Sequence, residues 1–187
     1  MVSVGEAAKG IYGAWRLAHG DRSGLAWFDT SMEGFWKSFG AAIVTLPAYA
    51  ALVGLAIANW PGEVNLPGII LVQVIAYVID WFAFPLAAIY ICDTMGKAPH
   101  YTRLIVALNW AKVVEVAVML PAALVASLAG ESALALIPAV ILVLVVGYHW
   151  FVTRVALDAS IGEAVMVTVI NLTIAVITSM WARSLLL

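Results

Sequence analysis

Four side chains in an otherwise apolar stretch of chain can hold or move a charge: the carboxylates of Asp80 and Glu115, the ammonium of Lys112 and the imidazole of His149. Lys112 and Glu115 stand in LNWAKVVEVAVML, residues 108–120, which has the composition of a membrane span. A charge at the centre of a spanning helix costs about 2.5–3.5 kcal/mol on insertion scales. Lys112 falls roughly 15 Å into its segment at about 1.5 Å rise per residue. That is near mid-membrane, so a partner must compensate it. Glu115 follows three residues later and is within reach along one helix. Asp80 and Lys112 lie at nearly equal distances on either side of Lys97, in a connecting turn. An antiparallel hairpin therefore brings them level. The spacing predicts one Asp80–Lys112–Glu115 cluster facing the other helices, its charges offsetting one another.

Further polar groups reach the same layer. Gln73, Tyr77, Asp80 and Phe84 form a stripe at helical spacing, and Asn109 precedes Lys112 by one turn. His149 and Asn171 are equidistant from Ser160, which predicts that they face each other, with Thr168 and Thr178 on the side of Asn171. The expected polar core is thus Gln73, Asp80, Asn109, Lys112, Glu115, His149 and Asn171. Two roles fit it. Intramembrane ionisable groups can form a proton or ion path, or they can fix which helix packs against which.

Enzyme chemistry is not in the pattern. The chain contains no HExxH, P-loop, GxGxxG or GxSxG motif. His149 has no second His or Cys at ligand spacing, and the single cysteine, Cys92, excludes an intrachain disulfide and a CxxC site. Asp93 and His100 both lie in the connecting turn, where acid–base chemistry on a lipid headgroup is a weak alternative. The expectation is no catalytic residue, no cofactor and no metal.

The elements that must position these groups follow from composition. Of 187 residues, 65% are hydrophobic and 11% charged, with mean hydropathy +1.05. A soluble domain carries about 25% charged residues. This is the composition of an all-α, polytopic membrane protein. Five spans are expected at about 36–58, 68–92, 102–128, 134–156 and 163–182, joined by NWPGEVNLP, DTMGKAPHY, AGESA and DASIGE. They form one transmembrane domain, 34–187, behind an interfacial segment, 1–33. A net charge of −2 and the absence of a basic stripe exclude a nucleic-acid partner.

Lys9, Arg16, Arg22, Lys37, Lys97, Arg103 and Arg154 fall on one side of such a bundle, and Arg183 on the other. The positive-inside rule then predicts a cytoplasmic N-terminus and an outer, periplasmic C-terminus in a bacterial inner membrane. No signal peptide is read at the N-terminus. In VSVGEAAKGIYGAWRLAHGD, Val4, Ala8, Ile11, Tyr12, Trp15 and Ala18 share one helical face and Glu6, Lys9, Gly13 and Arg16 the other. That predicts a helix lying in the interface with its basic residues towards headgroups, although Gly5, Gly10 and Gly13 weaken it. Thr30 and Glu33 have the spacing of a capping box before the first span. Lys9, Tyr12, Trp15, Arg16, Trp27 and Trp36 are the expected lipid-interface residues. Two rows of small residues, Ala50, Gly54 and Ala58, and Ala122, Ala126 and Gly130, allow close helix approach within or between subunits.

Five spans, a cytoplasmic N-terminal segment, a very short outer C-terminus and the Met95-Gly96-Lys97 turn resemble the layout of the Yip1-like membrane proteins. The resemblance covers residues 35–187 and implies a role in membrane organisation alongside partners. The expected function is therefore a non-enzymatic scaffold or accessory subunit whose partners are the bilayer and other membrane subunits or further copies of itself. The alternative is a small oligomeric channel or a proton- or ion-coupled transporter using Asp80, Lys112 and Glu115.

Overall fold

A computed structural model describes residues 2–58, 65–128 and 131–185, with backbone alone at 131–135. The described residues fold into helices α1 (Val4–Ala18), α2 (Met32–Ser38), α3 (Gly40–Ala58), α4 (Leu66–Thr94), α5 (Tyr101–Leu128), α6 (Glu131–Leu157) and α7 (Ile161–Ser184). Short 3-10 turns at Arg22–Trp27 and Ala98–His100 complete the order. Five helices are long and apolar enough to cross a membrane: Met32–Ala58, Leu66–Thr94, Ala98–Leu128, Leu136–Leu157 and Ile161–Ser184.

Side-chain caps explain where the helices begin. Ser3 with Glu6 and Ser160 with Glu163 form complete capping boxes at α1 and α7, satisfying backbone N–H groups that have no helical partner. Asn65 caps α4 through Gly68 N–H. The start of α2 differs from expectation. Ser31, not Thr30, is its cap, because Asp29 accepts the Ser31 N–H and leaves the Ser31 hydroxyl aimed at Gly34 N–H.

Helix α5 is the central element, packed against α1, α2, α3, α4 and α6, while α7 bridges α4 and α6. Its residues Leu104–Ala111 are buried without interruption, a whole two turns enclosed on every side. The enclosing collar is α1, α2 and the neighbouring ends of α4, α6 and α7.

The glycines of α1 are what let it join this collar. Gly10, Gly13, Ala14 and Leu17 form its buried face. A Cβ at Gly10 would meet the Trp110 ring at 2.3 Å, and one at Gly13 would meet the backbone of Gly24 at 2.8 Å. The helix therefore has three faces rather than the two expected. One packs on the bundle through small residues, one exposes Val4, Tyr12 and Trp15, and one carries Lys9 and Arg16. Gly13 belongs to the packed face, not the polar one. Tyr148 of α6 locks the seating by donating its hydroxyl to the Ala14 carbonyl at 2.8 Å.

Candidate functional site: a polar seam through the bundle

The expected three-charge cluster is two separate assemblies. Lys112 Nζ lies 2.6 Å from Asp80 Oδ2, donates also to the Asp80 carbonyl at 3.1 Å, and sits 4.6 Å from the centre of the Trp81 ring. Glu115 takes no part. Three residues along a helix fall about 60° short of a full turn, so Lys112 faces α4 while Glu115 faces α6. There Glu115 Oε1 is 3.1 Å from His149 Nδ1.

His149 is 6% exposed, and its second nitrogen, Nε2, meets the Asn171 side-chain amide of α7. Both ring nitrogens are thus occupied. A neutral ring donates from Nδ1 to Glu115 and accepts at Nε2 from the Asn171 NH₂. A protonated ring donates from both, which the same amide serves by presenting its carbonyl oxygen. Glu115 and His149 together with one added proton carry no net charge. The triad is a buried place where a proton can sit in two bonding patterns.

The stripe expected on α4 divides in the same way. Gln73 Oε1 accepts from the Tyr49 hydroxyl at 2.9 Å, and Tyr77 pairs with Thr45 at 2.8 Å while donating to the Ala42 carbonyl. Both serve the α3–α4 contact, whereas Asp80 serves α4–α5. Asn109 donates to Ser38 at 2.9 Å, joining α5 to the end of α2. Lys112 lies one turn beyond the Ser38–Asn109 layer, near the middle of the apolar helix Ala98–Leu128.

Sequence reading missed Thr153. Its side chain is 0% exposed, and that of Thr168, at 3%, is nearly so. Neither hydroxyl has a hydrogen-bond partner among the described residues. Thr153 follows His149 by one turn of α6, and Thr168 precedes Asn171 by one turn of α7, so both lie on the Ser160 side of the triad. Thr178, expected on the same side of its helix as Asn171, donates to the Ile174 carbonyl one turn back. Lys97 and Arg103, read from sequence only as topology markers, also have structural work. They donate to the Asp158 and Ala156 carbonyls at the C-terminus of α6, where a helix end favours positive charge.

The small-residue rows separate. Ala50, Gly54 and Ala58 are exposed, and a Cβ on Gly54 would meet no described atom within 4 Å. Ala126 is buried and Ala122 half-buried; Gly130 lies outside the described residues. Of the expected interface residues, Lys9, Tyr12, Trp15, Trp27 and Trp36 are exposed. Arg16 is half-buried, paired with Asp21 and placed over the Tyr12 ring. No group of three or more metal-ligating side chains occurs among the described residues. No protein-family model, curated protein or solved structure matches the chain.

Proposed function

We propose that this chain is a non-enzymatic, multi-pass protein of a bacterial inner membrane, acting as a membrane-organising scaffold or as an accessory subunit of a larger membrane complex. One observation carries the reading: the polar groups of the bundle are clasps between different helix pairs. Asp80–Lys112 joins α4 to α5, Glu115–His149 joins α5 to α6, His149–Asn171 joins α6 to α7, and Tyr49–Gln73 joins α3 to α4. Each clasp specifies a neighbour and a register in a medium where apolar surface specifies neither. The Yip1-like layout expected from sequence points the same way, and the outward row Ala50, Gly54 and Ala58 offers a lateral partner a close approach. The N-terminus is cytoplasmic on this reading and the C-terminus periplasmic. Single-cysteine labelling in a Cys92→Ser background checks that: position 97 should react from the cytoplasm and positions 63 and 131 from outside.

A proton path is the second reading, favoured by the Thr153 and Thr168 hydroxyls. A buried polar group left unpaired costs about 1–3 kcal/mol, and a bridging water satisfies such groups. Water there would connect the Ser160 turn to His149 and Glu115. The triple variant Asp80→Asn, Lys112→Met, Glu115→Gln separates the readings. A scaffold keeps its thermal stability and its co-purifying partners, since no unpaired buried charge remains. Wild-type flux driven by a pH gradient in reconstituted vesicles, lost in a stably folded triple variant, would replace the scaffold by the transporter.

A further inference from the structure

Among the described residues, the buried side-chain atoms without a hydrogen-bond partner are Arg103 Nη2, Trp150 Nε1, Thr153 Oγ1 and Thr168 Oγ1. All belong to one corner of the bundle, where α5, α6 and α7 run from the His149–Asn171 contact to the Ser160 turn. Trp150 adjoins His149 in the chain, Thr153 follows His149 by one turn, and Thr168 precedes Asn171 by one turn. Arg103 donates through Nε to the Ala156 carbonyl, two turns past His149. The two threonines are exceptional. Thr45, Thr173 and Thr178 each donate to the carbonyl one turn back, the usual partner of a hydroxyl in an apolar helix. Thr153 and Thr168 do not, although they are 0% and 3% exposed.

Each such group left bare costs about 1–3 kcal/mol. Guanidinium and indole N–H groups only donate, so their partner must accept. His149 to Ala156 spans about 10 Å of helix axis, and the four atoms are spread along it too widely to converge on one ion. Water accepts and donates, and about two to four polar neighbours hold it, so it fits at each point. Beyond the triad the pattern stops. One turn farther from Ser160 stand Val145 and Val146 of α6, Ile174 and Ala175 of α7, and Val118 and Met119 of α5. Thr178, past them, is closed on the Ile174 carbonyl.

We propose that a file of internal waters joins the Ser160 turn to Glu115, His149 and Asn171, and makes this triad a proton-binding site open to that side alone. The proton bonds to a ring nitrogen of His149, leaves a water molecule behind in the file, and returns by the same route when pH rises. Glu115 of α5 is the titratable group bonded to His149. The other charged or titratable neighbours are engaged elsewhere: Lys112 with Asp80 of α4, Tyr148 with the Ala14 carbonyl of α1, Arg154 over the Trp150 ring. Thr168 and Asn171 of α7 do not titrate. The inference rests on the water of the second reading and departs from it in one respect. A site with one mouth binds a proton without passing it across, and so reports the pH of the Ser160 side to a scaffold.

The test uses the full chain in sealed palmitoyl-oleoyl phosphatidylcholine vesicles, sorted to one orientation by a label at position 97, which shares the Ser160 side. Stopped flow lowers the pH of either side from about 8 to about 5, the range in which histidine ordinarily titrates. Tryptophan fluorescence of the wild type minus that of His149→Gln reads protonation, because an imidazolium quenches the indole beside it, Trp150. The signal should follow a drop on the Ser160 side and be absent for the opposite side. The near-isosteric double variant Thr153→Val, Thr168→Val should slow it roughly tenfold, the rate equivalent of one hydrogen bond lost from the route. Its melting temperature should fall, because the waters lose partners. Responses to both sides overturn the single mouth and leave the transport reading standing. No response from either side overturns the proton site, and a response that the double variant leaves unaltered overturns the water route. A raised melting temperature in the double variant means that the hydroxyls are dry, and it overturns this inference together with the transport reading.

Discussion

The two ends of the bundle are built from equally apolar helices and pack in opposite ways. At the end carrying α1 and the turns at Lys97 and Ser160, Ala14, Cys92, Leu104, Val152, Leu157 and Ala164 are at most 1% exposed. Towards the other end, α6 exposes Leu136, Val140, Leu142, Val143 and Leu144, and α5 exposes Val125 and Leu128. Hydropathy does not foretell the difference, since the five helices long and apolar enough to cross a membrane all reach a mean between 1.9 and 2.1. What differs is side-chain size and polarity. The enclosed end has glycines where backbones touch, aromatic rings over them and polar clasps between helices. The open end exposes branched aliphatic side chains of α5 and α6 beside the small-residue row Ala50, Gly54 and Ala58, with few side-chain bonds between helices. Burial in this molecule is specified by contacts, not driven by apolar area.

The largest expected effect comes from breaking a clasp at the enclosed end. His149→Leu leaves Glu115 and Asn171 without their hydrogen-bond partner. A buried polar group left without its partner costs about 1–3 kcal/mol, more for a charged one. The double variant His149→Leu, Glu115→Leu should recover most of that loss, because only Asn171 is then left without its partner. Val143→Ala at the open end should change stability by less than about 0.5 kcal/mol, as surface substitutions do. Cys92 is the only cysteine and is 0% exposed, so its reaction with a fluorogenic maleimide during heating reports all three melting curves. Equal shifts for His149→Leu and Val143→Ala would erase the distinction between the ends.

A single substitution made at both ends gives a finer contrast. Gly10→Ala places a methyl group 2.3 Å from the Trp110 ring, so α1 must lift or the ring must turn. Overpacking of this kind costs about 1–3 kcal/mol. Gly54→Ala meets nothing within 4 Å and only removes the helix penalty of glycine, a gain of about 0.5–1 kcal/mol. Opposite signs in the same melting assay are the expected result. A loss at Gly54 instead would show that the Ala50–Gly54–Ala58 row is packed against a partner in the assay sample.

How much of this was legible in the sequence follows from the same contrast. The five long apolar helices were, because a run of apolar residues between turn signals needs no tertiary knowledge. Pairings across hairpins were, since Asp80 with Lys112 and His149 with Asn171 follow from equal distances to Lys97 and Ser160. The direction of Glu115 was not. Choosing between Lys112 on its own helix and His149 on α6 requires knowing which helices flank α5. The Gly10 and Gly13 face of α1 was misread because glycine enters a pattern as a weak helix former, and its packing value exists only once Trp110 and Gly24 are opposite it. Thr153 carried no signal at all, since a threonine within an apolar helix reads the same whether or not its hydroxyl finds a partner.

The smallest expected effect concerns the rim of the enclosed end, and its sign follows from Glu6. Hydrogen bonds from Lys37 first, then from Ser3, lower the Glu6 carboxyl from 4.5 to about 2. A depressed carboxyl pKa contributes stability above its unfolded value, and that contribution is lost as pH falls through the folded one. The α1 attachment should therefore be constant above about pH 4.5 and weaken between there and pH 2. Asp21, lowered by the hydroxyl and N–H of Ser23 and then by Arg16, loosens the other end of α1 in the same direction. Hydrogen exchange at α1 amides should accelerate on acidification after correction for the intrinsic rate, while amides of α6 around Leu142 keep their protection. Glu6→Gln should exchange faster at pH 6 and respond less to acid, since the Lys37 ion pair is already absent. Acid-induced opening that begins in α6 and leaves α1 protected would mean that the collar is held by its Gly10–Trp110 packing alone and that the Glu6–Lys37 pair contributes nothing to it.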